Sequence, residues 1–140
     1  MKSWTVGSGS SAGAIAEFLV VATTISGQSL PITLSHESGT LFPLGVTTVT
    51  ASTTDEFGIV VSKTFTVTVA DTVAPQLTVT GALLFEATGP DGIDVSALNA
   101  VVTDAVDGTP VVEFHLVDGM LPIGVSVVTV TTRDRFGNAG

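Results

Sequence analysis

The side chains best equipped for chemistry in this 140-residue chain are carboxylates: 13 Asp and Glu stand against Lys2, Lys63, Arg133 and Arg135, for a formal net charge of −9. A field of that sign repels phosphate backbones and anionic lipid surfaces, which argues against nucleic-acid binding and membrane insertion and makes cations the natural small ligands. The other candidates are few. His36 and His115 stand 79 residues apart, a recurrence that suits either a metal or acid–base role or a pair of hydrogen-bonded strand-end histidines. Trp4 is the sole tryptophan and there is no tyrosine, so a sugar-binding aromatic platform has little to build on and Trp4 reads as edge packing. The chain has no Gly-x-Ser-x-Gly elbow and no glycine loop placed to cradle phosphate at the start of a helix. It has no cysteine, which removes thiol catalysis, thiolate metal sites and disulfides together. The residues point away from an enzyme.

The elements that must carry these side chains come in duplicate. Residues 31–58 align without a gap on residues 110–137, and 11 of 28 positions are identical, among them Pro31/Pro110, His36/His115, Pro43/Pro122, Gly45/Gly124, Thr53/Thr132, Asp55/Asp134 and Gly58/Gly137. A fixed offset of this kind is the mark of a tandem duplication. Val and Thr dominate the composition, with 15 Gly and 6 Pro, which favours pleated, half-buried strands joined by turns. Period-2 alternation with a threonine-rich outer face predicts strands over residues 47–53, 63–69 and 125–131. Turn signals separate them at Ser38-Gly39, Asp55-Glu56-Phe57-Gly58, Gly89-Pro90-Asp91-Gly92, Asp107-Gly108 and Asp118-Gly119. The apolar run over residues 12–22 is broken by Glu17 and lacks a strong basic segment before it, so it reads as strand and not as an export signal. Residues 70–75 form a short linker, with Pro75 holding Ala74 extended.

Several of these segments resemble the hyalin repeat, or HYR, domain: Thr40-Leu41-Phe42-Pro43-Leu44-Gly45, Thr54-Asp55-Glu56-Phe57-Gly58, Asp71-Thr72-Val73-Ala74-Pro75 and, in the second copy, Phe85-Glu86-Ala87-Thr88-Gly89-Pro90 and Thr103-Asp104-Ala105-Val106-Asp107-Gly108. The resemblance implies an immunoglobulin-like β-sandwich used in tandem in extracellular proteins and in adhesion. It also implies a cysteine pair across each sandwich. Those positions fall near Leu34 and Ala51 in the first copy and near Glu113 and Val130 in the second, so apolar packing stands in for the bridge at three of the four and Glu113 marks a slip or a solvent-facing site.

The expected architecture is therefore all-β, with two immunoglobulin-like modules over residues 1–72 and 73–140. An offset of 79 leaves the first module's opening strand abbreviated and the second without its closing strand within this chain. Two explanations compete: the chain is a fragment of a longer array, or the resulting groove is filled by a strand from a neighbour, with residues 1–6 the most available donor. In an immunoglobulin-like sandwich the incoming linker approaches two loops at one end of the module, which would gather Asp71, Asp104, Asp107 and Asp134. Four carboxylates with loop carbonyls suit calcium, which takes six to eight oxygens; the alternative is that each is an ordinary solvated turn aspartate. The function expected is that of a non-catalytic structural or adhesive module of a secreted or surface-displayed repeat protein or filament. Its partners would be other proteins or copies of itself. The alternative is a carbohydrate-binding accessory module of a secreted enzyme.

Overall fold

A computed structural model describes residues 2–80, 83–116 and 119–140 and divides the chain into two compact units, Met1–Asp71 and Thr72–Gly140. Both units are built from strands. The one helical element among the described residues is a single 3-10 turn, Val95–Ala97, whose N-cap Asp94 accepts a hydrogen bond from the Ser96 amide. Among the described residues, no helix is long and apolar enough to cross a membrane.

In the first unit, β1 (Ser3–Ser8), β2 (Ala14–Ala16), β3 (Thr33–Leu34), β4 (Thr40–Phe42), β5 (Gly45–Thr54) and β6 (Val60–Asp71) form a four-stranded sheet, β1-β6-β5-β3, and a two-stranded ladder, β2-β4. The central strand, β6, pairs antiparallel with β5 along its length and parallel with β1. Its alternation puts Phe65, Val67 and Val69 inside and the intervening threonines on the outer face. These three side chains meet Ala16, Phe42 and Val49 from the other layer and from β5, with Trp4, Val6 and Leu44 packed around them. Burial of each Phe or Val side chain favours folding by roughly 1.5–3 kcal/mol, so β6 holds the sandwich together.

The second unit, among its described residues, is built from three two-stranded ladders. Its strands are β7 (Gln76–Thr80), β8 (Ile93–Asp94), β9 (Asn99–Thr103), β10 (Val111–His115), β11 (Met120–Leu121) and β12 (Thr129–Arg133), paired as β7-β9, β8-β11 and β10-β12. The β8-β11 ladder has the register of β2-β4 shifted by 79: Ala14 faces Phe42, and Ile93 faces Leu121. The same offset makes Gly13 and Gly92 equivalent. Both have positive φ, and a Cβ on either would run into the carbonyl of Phe42 or Leu121. The strand expected over residues 125–131 forms only from Thr129 onward. In the first unit the equivalent residues are strand from Gly45 because β6 lies beside them; here the ladder begins with the Arg133–Ala139 bridge and the Gly140 pairing to Thr132. The strand expected within residues 12–22 is likewise short, Ala14–Ala16.

Two expectations need correction. Residues 1–6 are not a free donor segment: Ser3–Ser8 is the edge strand of its own sheet, with Trp4 opposite Val67 and Val6 opposite Val69, while Met1 is outside the described residues. The constant offset also fails in one place. Leu34 faces Ala51, but Phe114 faces Val130, one residue beyond the expected Glu113. A one-residue slip turns every side chain to the opposite face, so Glu113 is exposed and Phe114 half-buried. His115, opposite Thr129, then occupies the place of Ser35 and not of His36, and the recurrence of histidine carries no shared role. Leu34 and Ala51 are neighbours on adjacent strands of one sheet, not partners across the sandwich. Asp118 of the expected Asp118-Gly119 turn lies outside the described residues.

Candidate functional site

The chemistry-bearing residues of the second unit gather where the β9–β10 connection meets the turn after β12. Asp104 opens the first loop as an Asx turn: one carboxylate oxygen accepts from the amides of Val106 and Asp107 at 2.8 and 2.7 Å. Asp134 opens the second in the same way, accepting from the amides of Phe136 and Asn138, both at 2.8 Å. Asp55 makes the matching turn in the first unit, holding the amides of Phe57 and Ile59. Turn formation is thus the shared role of this aspartate pair, as the duplicated sequence requires.

What distinguishes Asp134 is its surroundings. It is buried, its second oxygen accepts from the Asn138 side-chain amide at 2.7 Å, and a carboxylate oxygen lies within 4.8 Å of one from Asp104. Burial works to raise the Asp134 pKa, yet the side chain and amide of Asn138 and the amides of Phe136 and Gly137 outweigh it and hold the group below its ordinary value. The remaining oxygen of Asp104, Oδ2, is buried and has no protein hydrogen-bond partner. A buried carboxylate oxygen without a donor is costly unless something positive or protic meets it.

Asp107 has a different role. It is buried, with Oδ2 accepting from the Arg135 amide at 2.8 Å and Oδ1 from the Thr109 amide at 3.1 Å, and the Arg135 Nε is 3.9 Å from Oδ1. The Arg135 and Thr109 amides, with a smaller contribution from the guanidinium, keep its pKa below the ordinary value. Asp107 therefore ties the two loops together. The Arg135 guanidinium also stacks 4.8 Å from the Phe136 ring centroid. Asp71, the fourth residue of the expected set, ends β6 of the first unit and is buried.

The remaining candidates take structural positions. Trp4 packs edge-on against Phe65 at 5.1 Å between centroids and against Phe18 at 6.2 Å, inside the first unit's aromatic cluster and not on a flat exposed platform. His36 hydrogen-bonds the Ser35 hydroxyl at 3.1 Å, and His115 the Thr131 hydroxyl at 2.8 Å. Sequence reasoning missed Thr132 and the glycine pair Gly13/Gly92. Thr132 is buried and donates to the Val111 carbonyl at 2.8 Å, as Thr53 donates to that of Pro31 at 2.6 Å; the matched threonines were the available signal.

The first unit carries a six-stranded sandwich whose core is closed by β1 and β6, and its span decides the family comparison. Residues 5–69 match the HYR domain. The match begins within β1 and ends within β6, so one HYR domain accounts for that sandwich from its edge strand to its central strand. The chain is also 34% identical over 123 residues to hyalin of Lytechinus variegatus. That alignment covers 84% of this chain and 23% of hyalin, so the chain spans about a quarter of its relative's length.

Proposed function

We propose that the chain is a pair of tandem HYR-like modules serving as a non-catalytic structural or adhesive element of an extracellular or cell-surface protein. The observation that carries this reading is the recurrence, 79 residues on, of the β2-β4 ladder as β8-β11 with the same register and the same close-packed glycine. Such a repeat acts through its surface and its multiplicity, not through one pocket. The likeness to hyalin over 84% of the chain supports the same setting. Packing of the half-buried Trp4 against Phe18 and Phe65 speaks against the carbohydrate-module alternative. Partners on this reading are other proteins or further copies of the chain, assembled in part by strand complementation. The test is retention of beads coated with the chain on surfaces carrying extracellular-matrix protein or the chain itself; coated beads that bind no better than uncoated ones would sink it.

The same reading includes calcium. Asp104 and Asp134 supply the pair of carboxylates, the unpartnered Asp104 Oδ2 supplies the need for a cation, and Asp71 joins them by its place in the sequence at the unit boundary. Asp107, with both oxygens held by Arg135 and Thr109, shapes the loop around them. A ligand bound to the folded state alone at a hundred times its Kd stabilises by about 2.7 kcal/mol. Titration calorimetry and thermal melts should show calcium binding that weakens in Asp104→Asn, Asp134→Asn and Asp71→Asn. Identical melts in millimolar calcium and in chelator would remove the ion from the account.

A further inference from the structure

The four-stranded sheet of the first unit has an outer face without a charged side chain, in a chain whose formal net charge is −9. Within β1, β3, β5 and β6 the ionisable residues are Lys63 and Asp71. Both alternate in phase with Phe65, Val67 and Val69, whose side chains point into the core, and so lie away from that face. What it presents is hydroxyl. Thr48 of β5 lies opposite Thr66 of β6, and Thr50 opposite Thr64; Ser3 and Thr5 of β1 extend the rows beside Thr66 and Thr68. Thr5, Thr48 and Thr64 are exposed. The corresponding face of the second unit is different, because β10 and β12 expose Glu113, His115 and Arg133 there.

Such a face is complementary to itself. A hydroxyl both donates and accepts a hydrogen bond, so a row of threonines can pair with an identical row, whereas an acidic or a basic face repels its own copy. Charge selects the same face. Two chains of net charge −9 repel one another over most of their surface, and contact through this sheet brings no like charges together. Threonine is also stiff at χ1, so docking costs little side-chain freedom. At about 3.3 Å per residue and 4.8 Å between strands, the four strands cover roughly 500 Å² of flat surface. Two such faces together bury on the order of 1,000 Å², the size of a weak and reversible interface.

Resting on the reading of the chain as an adhesive module whose partners include copies of itself, we propose that the threonine face of the first unit docks the same face of a second copy about a two-fold axis. The axis passes between the row of Thr48 and Thr66 and the row of Thr50 and Thr64, which lie at the middle of the β5 and β6 ladder. Each of these rows then meets its counterpart in the second copy. The two sheets stack about 10 Å apart, with their strands about 30° from alignment as the twist of each sheet requires. One such contact is weak, and repetition of modules along a surface multiplies it.

The experiment is sedimentation velocity of the full chain over a concentration series, with amide NMR shifts followed on dilution. The expected result is a reversible monomer–dimer equilibrium that strengthens as salt screens the net charge, is indifferent to chelator, and moves shifts in β1, β5 and β6 of the first unit. Thr48→Asp should weaken the dimer at least tenfold, about 1.4 kcal/mol. Thr64→Asp should do the same and keeps the test meaningful if Thr48→Asp fails to fold. Mixing the Thr48→Asp chain with a Thr48→Lys chain should restore association, which damage to the fold would not allow. A chain that stays monomeric at millimolar concentration, a dimer indifferent to both aspartate substitutions, or one that dissociates in chelator would overturn the proposal. Retention of coated beads on matrix protein by a chain that stays monomeric would leave the adhesive reading standing while this proposal falls.

Discussion

Replacing Gly13 or Gly92 by alanine should be far more damaging than the same change at Gly39, although all three glycines have positive φ. At Gly39, φ is +79° and an added Cβ meets nothing within 4 Å. The cost there is conformational only, about 1–2 kcal/mol for an L-residue in a left-handed conformation. At Gly13 and Gly92, φ is +112° and +91°, and the added carbon would sit on the backbone carbonyl of Phe42 or Leu121. The obstruction is main chain within the β2-β4 or β8-β11 ladder, so relief requires that ladder to open. Strain of roughly 1–3 kcal/mol then adds to the loss of a ladder that brings Ala16 and Phe42 into the core. A total above about 3 kcal/mol is expected. For a unit of this size each kcal/mol moves Tm by about 4–8 °C, so Gly39→Ala should lower the first unit's Tm by under about 16 °C. Gly13→Ala should abolish its cooperative transition or lower it well beyond that. Hydrogen exchange read separately over residues 2–71 and 72–140 assigns each loss to its unit: Gly13→Ala to the first, Gly92→Ala to the second. If Gly13→Ala and Gly39→Ala cost the same, the close approach is not what selects glycine at residue 13.

Acid should act on the second unit through Asp94, Asp107 and Asp134. All three have folded pKa values below the ordinary 3.8, so the stability they lend is present above that value and is lost as pH falls through the folded values; urea midpoints of the second unit should drop below about pH 4, and Asp107→Asn should flatten that drop. Thr132→Val keeps the side-chain shape but removes the donor to the Val111 carbonyl, and should cost about 1–2 kcal/mol by chemical denaturation, whereas an unchanged midpoint would mean that carbonyl finds another donor.

The strand-and-turn grammar could be read from the sequence because it rests on local rules: alternation within a strand, Asp-x-Phe-Gly within a turn, a glycine where φ is positive. Pairing could not, because it depends on neighbours distant in the chain. Residues 125–131 alternate as well as residues 46–52 do, yet the first is strand only from Thr129 while the second is strand throughout. The difference lies in β6, which supplies a ladder to one and not to the other. The slip at Glu113 was hidden for a related reason. The connection from β10 to β11 is one residue shorter than that from β3 to β4, and the segment before β10 is one longer, so two compensating changes leave the 79-residue spacing intact on both sides. Letter identities at Pro31/Pro110 and His36/His115 survive that alignment without marking equivalent places.

The four aspartates show the same division between local and non-local information. Asp104 and Asp134 were legible as turn residues, and their closeness in the second unit follows from the two loops lying at one end of the sandwich. That Asp107 faces inward, with its carboxylate spanning from Thr109 to the Arg135 amide, has no signal in spacing or composition: Asp-Ala-Val-Asp-Gly reads as two equal candidates. Fold decides between them, because the amides of Val106 and Asp107 turn onto Asp104 Oδ1 and leave Oδ2 buried without a donor. One carboxylate thereby ties the two loops together, and the other keeps a buried oxygen that no protein donor meets.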